Sequence, residues 1–90
     1  RSATLARDHF LSLLKQDSGN LDSRVRLAEA ESFLGNYEMA ESILKAAPVV
    51  DAAYRSAASR FYLQWSDYLA QQAGTAGRRF ELLERALSTL

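Results

Sequence analysis

LDSRVRLAEAESFLGNYEMAESILKAA, residues Leu21 to Ala47, has an apolar spacing that describes two helices joined at Gly35-Asn36. The first of the pair is expected from about Asp22 to Leu34, with Leu27, Ala28 and Leu34 on one face and Arg24 and Glu31 beside them. Ala28 is small, so a neighbouring helix can approach closely there. Gly35 ends this helix and Asn36 is placed to cap the next, expected from Tyr37 to Ala47 with Tyr37, Ala40, Ile43, Leu44 and Ala47 inward. Pro48 stops it, because its ring removes an amide donor and restricts the residue before it.

Working outward, Ala3, Ala6, Phe10, Leu13 and Leu14 recur at steps of three and four and predict a helix over Ala3 to Gln16, with Leu5 and Leu11 to its side. It should end in Asp17-Ser18-Gly19-Asn20, with Gly19 left-handed and Asn20 or Asp22 capping the following helix. On the other side, a long aromatic helix is expected from near Asp51, its N-cap, to about Gln72, burying Tyr54, Ala58, Phe61, Tyr62, Trp65, Tyr68 and Leu69. Gly74-Thr75-Ala76-Gly77 reads as a turn, with Thr75 as cap and a last helix from about Ala76 turning Phe80, Leu83, Ala86, Leu87 and Leu90 inward. No run alternates with period two for long enough to argue for a strand.

The pattern repeats. Ala6 falls on Ala40, Phe10 on Leu44, Leu13 on Ala47, Leu27 on Phe61 and Leu34 on Tyr68, each 34 positions on. With two helices per period, the chain resembles the tetratricopeptide repeat (TPR) family. Gly35-Asn36-Tyr37-Glu38-Met39-Ala40 looks like that family's inter-helix turn, and Ala40-x3-Leu44-x2-Ala47 like its second-helix signature, which Ala6-x3-Phe10-x2-Leu13 repeats one unit earlier. Arg24, Ala28 and Glu31 depart from the Trp, Gly and Tyr the family favours, and Ala47 to Ala86 is 39 positions, five more than the period. The resemblance implies an all-α, right-handed superhelical stack of antiparallel helix pairs. Its parts would be one repeat domain over 1–90: the second helix of a partial repeat at 3–18, a repeat at 21–48, and a repeat with an extended first helix at 51–90.

Composition narrows the function. Ninety residues, 48% hydrophobic and 24% charged, suffice for one small core. Eleven basic residues balance eleven acidic ones, which leaves no general attraction for nucleic acid or an anionic membrane. There is no cysteine for disulfide or thiolate chemistry, and its absence fits cytoplasm and periplasm alike, so the compartment stays open. No apolar run reaches the roughly 18 to 20 residues of a membrane span, and a start at Arg1 without Met or a signal-like core reads as an excised piece.

Residue by residue, chemistry is scarce. His9 beside Asp8 lacks a second histidine, a cysteine or a metal-ligand spacing to complete a site. Glu29, Glu31, Glu38 and Glu41 read as helix-face carboxylates, and Gly74 to Gly77 lacks the lysine and preceding strand of a phosphate loop. Phe61, Tyr62, Trp65 and Tyr68 near Arg60, Arg78 and Arg79 could stack bases, but their shared stripe favours core packing. An enzyme is therefore not expected, nor any cofactor or metal.

The expected role is a protein-protein interaction module that holds a peptide or partner surface on its concave face, as the resemblance implies. The alternatives are a structural spacer without a ligand and, third, a nucleic-acid-binding helical repeat. At about 100° per residue the side opposite the packed one holds Asp22, Val25, Arg26, Glu29 and Phe33 on the second helix. On the fourth it holds Ser56, Ser59, Arg60, Leu63 and Asp67, and the two sets are expected side by side as the binding face. Unpaired ends predict end-to-end self-association, burying residues such as Leu5, Leu11 or Leu87.

Overall fold

The computed structural model describes residues 2–72 and 76–89, the side chain of residue 76 excepted, and these residues are all-helical. Five helices run in order: α1 (Ser2–Gln16), α2 (Leu21–Phe33), α3 (Tyr37–Lys45), α4 (Ala52–Ala70) and α5 (Ala76–Thr89), with no strand among the described residues. They form two compact units, Arg1–Tyr54 and Arg55–Leu90, whose boundary falls inside α4.

In the first unit α2 is the central element, packed against both α1 and α3. Its sequence explains this: Ser23, Arg24, Leu27, Ala28, Ala30 and Glu31 are all buried, a face too wide for one neighbour. Ala28 and Ala40 are buried almost completely, Ala40 at 0% exposure. Small side chains at these positions permit the close approach expected of them.

The helix ends show which local rules win. Asn20 caps α2, its side chain accepting from the Ser23 amide at 3.0 Å. Gly35, at φ 87°, closes α2: its amide donates to Ser32 O at 2.9 Å and the Asn36 amide to Glu31 O at 2.8 Å, the paired bonds of a Schellman end. Gly19 is not left-handed as expected; the Asp17 side chain accepts from the Gly19 amide at 3.1 Å and folds this turn without a positive φ. Asn36 does not cap α3 with its side chain, which donates instead to Glu31 Oε1 at 2.9 Å. Asp51 does cap α4, accepting from the Tyr54 amide at 2.8 Å. The expected turn at Gly74 and Thr75, and Leu90, lie outside the described residues.

Arg24 does much of the first unit's long-range stitching. Its Nη1 donates to Ile43 O at 3.0 Å, in the last turn of α3, and its Nη2 to Ser18 O at 2.7 Å, in the α1–α2 turn. A cation at a helix C-terminus meets the negative end of the helix dipole. Tyr54 donates its hydroxyl to the next carbonyl, Leu44 O, at 2.6 Å, so two side chains share the end of α3. Burial pushes the Tyr54 phenol up to about 12, against a smaller downward pull from Arg24.

In the second unit α4 buries Ala58, Phe61, Tyr62 and Trp65 on the expected stripe, whereas Tyr68 is exposed and Leu69 half-buried. The phase of α5 differs from expectation. Leu82, at 0% exposure, and Ala86 are its buried pair; Phe80 is 64% exposed, Leu87 75%, and Leu83 lies between. A reason lies on α4, where the buried Ser59 donates its Oγ hydrogen to Ala86 O at 2.8 Å and so turns the Ala86 side of α5 inward. Arg78 on α5 lies over the Trp65 ring, 4.7 Å from its centroid.

Candidate functional site

In the first unit a groove of about 390 Å³ lies between α1 and α2. The α1 wall is Ala3, Ala6 and Phe10; the α2 wall is Arg26, Glu29, Ala30 and Phe33. Ala3 and Ala30 are buried at its base, while Phe33 stands 83% exposed at its rim. Small residues below and two phenylalanine rings above make a trough whose surface is mainly apolar, with one cation and one carboxylate on the same wall.

The α2 wall exists because Asp22, Arg26, Glu29 and Phe33 follow one another at steps of four, three and four, which keeps them on one stripe of a helix. Opposite them lies the buried face of α2. Arg26 Nε meets Asp22 Oδ1 at 3.6 Å, an exposed i,i+4 pair of the kind that contributes only about 0.3–0.5 kcal/mol. So weak a tie leaves the guanidinium free to exchange a carboxylate one turn away for one on a bound molecule.

Of the expected binding residues, Arg26, Glu29 and Phe33 thus meet in one groove, with Asp22 joined to it through Arg26, and Val25 is half-buried outside the lining. In the second unit Arg60, Leu63 and Asp67 are exposed and Ser56 is half-buried. Ser59 is the exception, 4% exposed with its hydroxyl committed to Ala86 O: it packs under α5 and does not face outward. Reading the sequence missed the α1 wall, since Ala6 and Phe10 were assigned inward.

A second groove, about 320 Å³, lies where Leu11 and Leu14 of α1, Leu27 of α2 and Ile43 of α3 converge; none of the expected binding residues lines it. Among the described residues no group of three or more His, Cys, Asp or Glu is placed to hold a metal ion. His9 is exposed and stacks edge-on against Phe10, ring centroids 4.9 Å apart. Phe61, Tyr62 and Trp65 are buried, so base stacking on them would require opening the second unit. Among the described residues no helix is long and apolar enough to cross a membrane. Compared with models of protein families, with curated proteins and with solved structures, the chain matches none.

Proposed function

We propose that this chain is a TPR-like helical-repeat module that recognises another protein, holding a peptide or helical segment of it against the Asp22–Arg26–Glu29–Phe33 stripe of α2. The observation that carries this reading is the α1–α2 groove. It has an apolar floor, an aromatic ring that pays its exposure at the rim, and one charge of each sign beside it. An exposed aromatic beside an apolar trough is the arrangement that anchors partners at interfaces. In the second unit, taken by itself, Arg60, Leu63 and Asp67 are exposed and offer a similar trio. The tetratricopeptide reading rests on the 34-residue equivalences, and within the first unit it is supported by α2 packing between α1 and α3. Catalysis is not part of this reading, because no nucleophile, base and orienting group come together in either groove.

Fluorescence anisotropy tests the proposal with a labelled amphipathic helical peptide bearing an apolar i, i+4, i+7 face and a glutamate beside it, alongside polybasic, polyacidic and single-stranded RNA probes. The amphipathic peptide should saturate the chain. Arg26→Glu with Phe33→Ser should weaken it at least tenfold while circular dichroism stays unchanged. Equal binding by that double variant overturns the groove assignment; preference for RNA favours the nucleic-acid reading; no binding by any probe favours the spacer.

A further inference from the structure

We propose that the second groove, formed by α1, α2 and α3, is a seat for a medium-chain fatty acid, with the alkyl tail along its aliphatic walls and the carboxylate beside Arg24 and Lys15. This site is separate from the α1–α2 groove and does not depend on what that groove binds.

The seat follows from how the three helices pack. α1 and α3 both lie against α2, and the gap they leave over it has a volume of about 320 Å³, at the lower end of small-molecule sites. Leu14, Leu27 and Arg24 are buried in its floor. Leu11 and Lys15 of α1 and Ser42 and Ala46 of α3 are exposed along its edges, with Ile43 half-buried.

Charge selects the head group. Two cations line the groove and no carboxylate does. Arg24 is 8% exposed, and its two Nη bonds go to neutral carbonyls, Ser18 O and Ile43 O. Its Nε is buried without an acceptor. Among the described residues neither Arg24 nor Lys15 forms an ion pair. A guanidinium whose charge is uncompensated away from bulk water attracts an anion more strongly than one in water does. A carboxylate supplies both the opposite charge and an acceptor for a spare donor.

The lining also selects the tail. All of its apolar residues are aliphatic, so no ring is present to stack on a base or an aromatic acid. Its one uncharged polar side chain, Ser42, already donates its hydroxyl to Glu38 O at 3.2 Å. A peptide would bring amides that need partners here, whereas an alkyl chain brings none. The α1 edge from Leu11 to Lys15 rises only about 6 Å, which suits a tail of medium length.

Amide chemical-shift titration of the whole chain with octanoate, below the concentration at which it forms micelles, tests this. Saturable shifts should centre on Leu11, Lys15, Arg24, Ile43 and Ala46. Hexanoate should bind about tenfold more weakly, as two fewer buried methylenes require. Acetate, a head without a tail, and octyltrimethylammonium, a tail with the opposite charge, should leave these amides unmoved. Leu11 and Lys15 are exposed, so Leu11→Ser and Lys15→Glu keep the fold, as circular dichroism should verify, and each should weaken octanoate binding by about fivefold or more. Equal affinity for octyltrimethylammonium, undiminished binding by Lys15→Glu, or octanoate shifts centred on Ala30 and Phe33 overturns the assignment. So does an absence of saturable shifts, and so do shifts at these residues with an acidic peptide but none with octanoate.

Discussion

Arg24→Lys keeps the positive charge at the end of α3 but not the fork. The guanidinium reaches two carbonyls from different segments, Ser18 O at 2.7 Å and Ile43 O at 3.0 Å, through two separate nitrogens. A lysine ammonium is a single point on a flexible stem and should hold one of them. A hydrogen bond with a charged partner contributes about 1.5–3 kcal/mol, so the lysine variant should lose about that much. For a chain of this size each kcal/mol shifts Tm by about 4–8 °C, which puts the loss well within reach of a thermal melt followed by circular dichroism. Arg24→Met goes further and leaves both part-buried carbonyls without this donor; Ile43 O retains only a long bond of 3.4 Å from the Ala46 amide. The methionine variant should therefore be at least as destabilised as the lysine variant. Burying a guanidinium also costs desolvation, and that cost opposes these bonds. A methionine variant as stable as the original chain would show that desolvation wins and would refute the reasoning.

Ala40→Leu should cost about 1–3 kcal/mol by overpacking a site with 0% exposure, whereas Ala53→Leu, on an exposed turn of α4, should stay within about 0.5 kcal/mol; equal melting of the two variants would show the wrong face of α3 inward. Gly35→Ala finds open space for its Cβ but must hold φ 87°, a strain of about 1–2 kcal/mol, while Gly77→Ala, in α5 with equally open space, should stabilise by about 0.5–1 kcal/mol. Tyr54 stays neutral in the folded chain up to about 12 against 10.0 unfolded, so stability is unaffected by it below pH 10 and falls by about 2–3 kcal/mol as pH rises from 10 to 12. Tyr54→Phe should remove this alkaline slope in denaturant titrations, and a slope that persists would place the titrating group elsewhere.

Much of the first unit was legible because its residues leave little choice. Leu27 and Ala28 have one helical phase that buries both, and the stripe from Asp22 to Phe33 is then left over by geometry. The end of α2 was legible for the same reason, since Gly35 tolerates a positive φ at no steric cost. α5 was not. Phe80, Leu82, Leu83, Ala86 and Leu87 support two phases, and the wrong one is richer in large side chains. What helps decide between them is the buried Ser59 on α4, bonded to Ala86 O, and a serine carries no hydrophobic signal in a sequence. Ser59 was misplaced with them, because a hydroxyl near the edge of a stripe reads as outward until a backbone carbonyl such as Ala86 O is found within reach. The α1 wall of the groove was hidden by its own apolarity: Ala6 and Phe10 look like core, and only the packing shows that nothing in the described chain covers them fully.

The claim that the α1–α2 groove is where this chain meets its partner is tested most directly by amide chemical-shift mapping of the chain during titration with the amphipathic helical peptide. Saturable shifts should concentrate on residues at the groove, Ala6, Phe10, Arg26, Ala30 and Phe33, and leave the exposed Glu38 and Met39 of α3 unmoved. Shifts centred on Glu38 and Met39, or no shifts at millimolar peptide, would contradict it.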